Sequence, residues 1–312
     1  MTAPPAGFGV RSMYAPLTRV AVRTPSVGGD FAAAGWRATP DAGRLRHQHD
    51  AFVQTLRDLG VQVEVLPETP GQVDSVYSYD AVFVTGRGAI VLNPAKPARA
   101  GEAEVMARDL EALGIPVIGR LDECAADGAT TDGATTGATT ADGATTAGAC
   151  TADGGDLLWL DETTLAMGRG FRTNGPAHTR LAGLLAQEGV ETVSFDLPYG
   201  RGPEHCLHLM SSLSLVGPRV AVVYLPQLPI ALHEWLIERD CRLVEVTEQE
   251  YDLQGCNVLA TAPDQAVIFA GMPRVVAALE AAGVEVHEVE GDQFVLGDGG
   301  PTCLTRPLLR AG

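Results

Sequence analysis

The stretch LRDLGVQVEVLP, residues 56–67, decides the fold. A leucine-ended helical segment meets Gly60, and a short run of alternating β-branched residues follows. Glycine tolerates the left-handed backbone that closes a helix, so the helix is expected to stop there and a strand to begin. The same pattern recurs as LEALGIPVIGR at Leu110, LAQEGVETVSFD at Leu185, LIERDCRLVEV at Leu236 and LEAAGVEVHEV at Leu279. Gly114, Gly189 and Gly283 stand where Gly60 does, and the fourth copy carries Asp240 and Cys241 there. The copies lie about 50 residues apart once one insertion is set aside, a spacing typical of repeat architectures.

Between the helical copies lie runs with a turn in the middle, each reading as a β-hairpin. They are DAVFVTGRGAIVLN at Asp80, GDLLWLDETTLAMG at Gly155, SSLSLVGPRVAVVYL at Ser211 and CNVLATAPDQAVIFAG at Cys256. The unit is therefore strand–strand–helix–strand, used five times. Five such units can close radially as propeller blades do; an open doubly wound sheet is the alternative from pattern alone. The insertion, about residues 125–152, is built of DGATT-like near-repeats with almost nothing to pack, and it interrupts one domain of 1–312 rather than dividing two.

Composition narrows the function. The 312 residues carry 39 acidic and 22 basic side chains, a net charge of −17. Nucleic acid and anionic membrane surfaces both select a basic footprint, so neither is the expected partner. A negative field favours approach of a cationic small molecule. The opening MTAPPAGFGVRSMYAP has no apolar signal core, and no apolar run is long enough to span a bilayer. A cytoplasmic chain with reduced thiols is expected. None of the six cysteines forms a CxxC pair, and no GxGxxG or GxxxxGK loop follows a strand.

Three places break their local pattern. In GDGGPTCLTRPLLR at Gly297 a cysteine, Cys303, follows a Gly-Gly-Pro turn that can expose a thiol. In EHCLHLMSSLSLV at Glu204 the histidines His205 and His208 stand before a buried strand. In CTADGGDLLWL at Cys150 the carboxylates Asp153 and Asp156 flank a Gly-Gly pair. Taken singly, these are a small buried hydrophobe, a surface histidine and ordinary turn chemistry.

Their order on a fivefold ββαβ repeat is more telling. It resembles the pentein, or guanidine-modifying, superfamily, and within it the dimethylarginine dimethylaminohydrolases, from about Thr18 to Arg310 except the insertion. The resemblance implies an α/β fold, a five-bladed propeller with the active site in its central channel. It implies a hydrolase of linear amidines that converts Nω-methylated L-arginine to L-citrulline and an alkylamine. Catalysis would run through a covalent thiouronium on Cys303, with no cofactor and no metal. The resemblance makes Cys303 of the Thr302-Cys303 pair the nucleophile and His208 of His-Leu-x-Ser the acid–base group. Asp153, before Gly-Gly-Asp, orients the guanidinium, with Asp74 and Asp80 of DSVYSYD as a second acidic cluster. Arg99 in NPAKPAR and Arg172 in FRTN would hold the substrate carboxylate, and Asp298 its α-amino group. The implied partner is a small guanidinium amino acid, and a homodimer fits the class.

Two departures stand out. Tyr79 precedes Asp80 where family members carry glutamate, and Met210 stands two after the histidine where arginine deiminases carry aspartate. Loss of that carboxylate favours an N-substituted guanidine. Arginine deiminase and amidinotransferase chemistry remain alternatives within the class, and a non-catalytic propeller-fold binding protein is the alternative outside it. The small-residue stretch SVGGDFAAAGW at Ser26 reads as a lid or an ordinary loop.

Overall fold

A computed structural model describes residues 7–122 and 149–311. Its elements run β1 (Leu17–Arg23), α1 (Ala42–Asp58), β2 (Gln62–Leu66), β3 (Val82–Val84), β4 (Ala89–Val91), α2 (Glu102–Ala112) and β5 (Val117–Arg120). After the insertion come β6 (Leu157–Trp159), β7 (Thr164–Arg169), α3 (Gly175–Ala186), β8 (Glu191–Asp196), β9 (Leu213–Gly217), β10 (Val220–Val223), α4 (Ile230–Glu238) and β11 (Arg242–Glu245). Then follow α5 (Glu248–Tyr251), β12 (Leu259–Ala262), β13 (Gln265–Phe269), α6 (Pro273–Ala281), β14 (Glu285–Val289), α7 (Asp292–Val295) and β15 (Thr305–Arg310).

The described strands form five three-stranded sheets. In each, a hairpin partner lies antiparallel to the middle strand and a third strand returns parallel to it after a helix, as in β6–β7–β8. The parallel return requires a crossover, and the helix supplies it. The first sheet differs in one respect. Its hairpin partner is β15, which pairs with β1 from Leu17↔Arg310 to Val22↔Thr305. The chain's last strand thus completes its first unit and closes the ring, a long-range pairing that removes a sheet edge.

The five helix–strand corners are built alike. Gly60, Gly114, Gly189 and Gly283 have φ of 81°, 84°, 70° and 89°, and Asp240 takes the same place at 53°. At each corner the carbonyl of the leucine five residues back is satisfied. Val61, Ile115, Val190, Cys241 and Val284 donate their N–H to the carbonyls of Leu56, Leu110, Leu185, Leu236 and Leu279 at 2.9–3.2 Å. This is the six-to-one bond of a Schellman motif. All five leucine side chains are fully buried, each stabilising the fold by about 1.5–3 kcal/mol.

The first strands, β3, β6, β9, β12 and β15, are almost wholly buried, whereas the third strands β2, β5, β8, β11 and β14 are largely half-exposed. Aromatic stacks anchor the core, with Phe83 on Trp159 at 5.8 Å and Phe269 on Phe294 at 6.2 Å between centroids.

Two expectations need correction. The insertion was bounded at 152, and residues 123–148 lie outside the described residues. Cys150 and Ala152, however, are buried, and Ala152 bridges to Asn93. This piece is packed because it leads into the buried Asp153. Reduced thiols were expected throughout, yet Cys150 stands in a disulfide; Cys206, Cys241, Cys256 and Cys303 are free. No helix among the described residues is long and apolar enough to cross a membrane.

Candidate active site

Each unit delivers polar groups from the segment just ahead of its innermost strand. Asp80 precedes β3, Asp153 and Asp156 precede β6, His208 precedes β9, Asn257 precedes β12 and Cys303 precedes β15. Asp80, His208, Asn257 and Cys303 line one pocket, open to solvent, with an empty volume of about 870 Å³.

The motifs around these residues are explained by close approach. A Cβ on Gly154 would lie 2.2 Å from the Tyr79 carbonyl oxygen, and one on Gly155 would lie 2.4 Å from His208 Nδ1. Only glycines let this backbone pass between Asp80 and His208. Gly154 N–H donates to the Asp80 carbonyl at 3.1 Å and Gly155 N–H to Asp80 Oδ1 at 2.8 Å. The His-Leu-x-Ser spacing is a reciprocal cap: His208 N–H donates to Ser211 Oγ, and Ser211 N–H to the His208 carbonyl, both at 2.9 Å. Asp156 fixes this turn from below by accepting Leu209 N–H at 2.8 Å, and its other oxygen accepts Thr173 Oγ–H at 2.5 Å. Burial pushes the Asp156 carboxyl up to about 6.

His208 Nε2 meets Asp153 Oδ2 at 3.0 Å, with both side chains buried. Burial alone would lower the imidazole. The neighbouring Cys206 sulfur and the Asp80 carboxylate, with the Asp153 hydrogen bond, outweigh it and hold His208 well above its ordinary value. Burial likewise works against the Asp153 anion, but His208, Arg172 and Arg99 overcome it and hold the carboxyl low. The pair is an imidazolium–carboxylate pair at neutral pH. Asp153 also accepts Ala95 N–H at 3.1 Å and Arg172 Nη1–H at 3.3 Å. It is sealed behind His208 and does not line the pocket. The expectation that Asp153 orients a guanidinium is therefore revised: its position makes it the residue that holds His208, while Asp80 reaches the cavity.

Arg99 is also placed differently from expectation. It is buried, and it donates to Asp80 Oδ2 at 2.6 Å, Glu102 Oε2 at 2.7 Å and the Tyr77 carbonyl at 2.9 Å. Two carboxylates already match its charge, so it fixes Asp80 rather than offering a free guanidinium. Burial pushes Glu102, the outer member of this chain, up to about 7. Arg172 lines the pocket and, among the described residues, meets Asp153 alone. Asp80, Asp153 and His208 present ligand atoms within 4.8 Å of one another, a set that could hold a metal ion. Arg99 and Arg172 already bring planar cations to these carboxylates.

Cys303 Sγ accepts a hydrogen bond from Asn257 Nδ2 at 2.9 Å, and Asn257 Oδ1 accepts Thr302 N–H at 2.9 Å. Burial pushes the thiol up to about 11, with Asp80 adding to the rise and the Gly300 and Asn257 hydrogen bonds opposing it. Gly300 leaves room for this contact, since a Cβ there would lie 2.5 Å from Asn257.

At the mouth, Asp74 accepts Trp36 Nε1–H at 2.7 Å and a hydrogen bond from Lys96 Nζ. Lys96 also donates to the Ala34 carbonyl. Asp298, with φ of 62°, pairs with Arg37 at 2.7 Å. The Ser26 stretch is folded onto this rim: Trp36 is buried and stacks on Tyr77 at 5.7 Å. Tyr79 turns its ring to the buried Arg306, 4.0 Å away, so the residue ahead of Asp80 packs against the core. Met210 lines the pocket. The sequence does not single out Asn257, Lys96 or Trp36, and it leaves the place of Cys206 open; that sulfur lies 3.7 Å from His208 Nδ1. Asn257 was within reach, since it stands two residues ahead of its strand, as Asp80 and Cys303 do of theirs.

The profile of the family described as N,N dimethylarginine dimethylhydrolase, eukaryotic, matches residues 41–310. The chain belongs to the dimethylarginine dimethylaminohydrolase family. A dimethylarginine dimethylaminohydrolase of Pseudomonas aeruginosa is 23% identical over 269 residues, 85% of this chain and 89% of the relative. The uncharacterized protein YkgA of Bacillus subtilis is 24% identical over 263 residues, 84% of this chain and 79% of the relative. Among solved structures, the P. aeruginosa dimethylarginine dimethylaminohydrolase complexed with citrulline superimposes with a TM-score of 0.70 at 19% identity, covering 93% of this chain and 98% of that one. The N-terminal domain of ArgZ, an arginine dihydrolase from cyanobacteria, does so at 0.72 and 19%, covering 94% and 97%. The fold is the five-bladed pentein propeller. As a member of the dimethylarginine dimethylaminohydrolase family, the chain is a guanidine-modifying hydrolase acting on C–N bonds.

Proposed function

We propose that this enzyme hydrolyses Nω-substituted guanidines of arginine type, methylated L-arginine to L-citrulline and an alkylamine, with Cys303 as nucleophile. The observation that carries the reading is a raised imidazolium, His208, and an Asn257-bonded thiol, Cys303, on one pocket whose inner wall holds the carboxylate of Asp80.

A guanidinium carbon is a poor electrophile because its charge is delocalised. Asp80, fixed by Arg99 and Gly155, would hold the plane and localise that charge. The resting thiol is largely protonated at neutral pH; an arriving cation stabilises the thiolate, and the thiol loses its proton to water as the cation binds. The thiolate adds to the carbon, forming the C–S bond and a tetrahedral intermediate. His208 gives its proton to the substituted nitrogen, the C–N bond breaks, and a neutral amine leaves. The thiouronium remains. Neutral His208 then takes a proton from water as hydroxide adds to the carbon. Collapse breaks the C–S bond, and loss of a proton leaves the ureido product. Asp153 keeps His208 oriented through both steps and favours its protonated form before the amine leaves. Met210 in the wall, where a carboxylate would grip an unsubstituted nitrogen, supports N-substituted guanidines over arginine itself.

The test is product analysis with asymmetric dimethylarginine, monomethylarginine and arginine in parallel. Alkylamine with citrulline from the first two, and little from arginine, is the expected result. Ammonia mainly from arginine would make the enzyme a deiminase.

A further inference from the structure

We propose that Lys96 sets the enzyme's preference at the far end of its substrate: among arginine-type guanidines, those with a carboxylate and no α-ammonium are handled best. This rests on the reading of Cys303 and His208 given above and names the substrate class more closely.

An incoming α-ammonium binds where carboxylate and carbonyl oxygens converge with their charge unmatched. At this mouth such a place is built and already filled. Asp74, buried at 3% exposure, directs one oxygen to Trp36 Nε1–H and the other to Lys96 Nζ. The same ammonium takes the Ala34 carbonyl. Lys96 thus holds one carboxylate oxygen and one carbonyl oxygen, the partners that a substrate ammonium would require. Asp298 is paired with Arg37. Glu204 also lines the pocket but is exposed, where a contact is screened by water and salt. An α-ammonium must therefore displace Lys96 from a buried carboxylate or settle for the exposed Glu204 and the Arg37-paired Asp298.

A carboxylate faces the opposite situation. Lys96 and Arg172 both line the pocket as cations, and Arg172 meets a single carboxylate oxygen. A bidentate guanidinium is well suited to a carboxylate end. The two ends of the preferred substrate are then a guanidinium for Asp80 and a carboxylate for Arg172, with the Asp74-paired Lys96 adding no repulsion. Methylated arginine is accepted at the cost of moving Lys96; its des-amino counterpart, with hydrogen in place of the ammonium, is not so penalised.

The experiment compares kcat/KM for Nω-methylarginine and its des-amino counterpart in the wild type and in Lys96→Met, which keeps length and removes charge. The expected wild-type ratio favours the des-amino acid by about tenfold or more. Lys96→Met should shift that ratio by about tenfold toward the amino acid, because Asp74 becomes available. A wild-type preference for the amino acid, or a ratio unmoved by Lys96→Met, overturns the inference and leaves the Cys303 chemistry standing. Protection of Cys303 from alkylation by chloroacetamidine is read in parallel. If turnover is too slow to measure, the ratio of protecting concentrations decides the same question. Failure of both compounds to be hydrolysed or to protect would sink the parent reading, and the inference with it.

Discussion

The five helix–strand corners and the five strand entrances occupy equivalent places in the same repeat, yet they were shaped by opposite demands. Every corner has a buried leucine, a left-handed residue and the same carbonyl bond. The entrances carry Asp80, Asp156, His208, Asn257 and Cys303, with no residue type shared by all five. Uniformity at the corners gives each blade its stability locally. Variety at the entrances means that no single unit holds a site, and chemistry exists only where the ring brings several together. Stability and activity should therefore separate cleanly under mutation.

Cys303→Ser is the largest expected effect on that separation: turnover of any guanidine substrate falls below detection, while the thermal midpoint is unchanged. A residual activity comparable to wild type would break the assignment of the nucleophile. Leu56→Ala at a corner should do the reverse. It costs about 2–5 kcal/mol in denaturant unfolding, with kcat per folded molecule retained.

Asp153→Asn probes an entrance that is both structural and chemical. The carboxyl is depressed in the folded chain, so its contribution is present above the ordinary aspartate range and is lost as pH falls through the lower folded value. His208 is raised, so its contribution is present below the ordinary histidine value and is lost as pH rises through the higher folded one. Without the anion, the alkaline limb of kcat should move to lower pH by about 1–3 units. An unmoved limb would mean that Asp153 does not govern His208. Asn257→Ala removes the donor to the sulfur. A hydrogen bond to a charged group contributes about 1.5–3 kcal/mol, so alkylation of Cys303 near neutral pH should slow correspondingly, with a stability loss of about 1–3 kcal/mol from the Thr302 N–H left unpaired.

The smallest effect belongs to the odd corner. Asp240 has φ of 53° where its four equivalents are glycine. Asp240→Gly should raise stability by about 1 kcal/mol, measured by chemical denaturation, with no change in kinetics.

What was legible in the sequence follows the same division. Corners could be read because a helix stop is a local event: a leucine, a residue able to adopt positive φ, and a β-branched run lie within a few positions. Even Asp240 could be placed by alignment with Gly60. The pairing of β15 with β1 joins Leu17 to Arg310, and no local pattern encodes it. In the site, Cys303 and His208 announced themselves through glycine turns and a capping serine. The partnerships did not. That Asp153 serves His208 and that Arg99 serves Asp80 and Glu102 depends on charges brought together from distant segments. Residue type alone left Asp153 and Arg99 looking like substrate ligands. Lys96 was visible in NPAKPAR only as a neighbour of Arg99, because its partner Asp74 and the Ala34 carbonyl come from other segments.

The closure of the ring has a consequence for how the enzyme comes into being. Cys303 lies just ahead of β15, the strand that locks onto β1. The thiol reaches Asn257 and the Asp80 wall only once the first and last units are joined. Synthesis from the ribosome delivers His208 and its carboxylates long before Cys303. A half-folded chain thus brings the imidazole and its carboxylates together without the thiol, and the proposed chemistry waits on the pairing of β15 with β1.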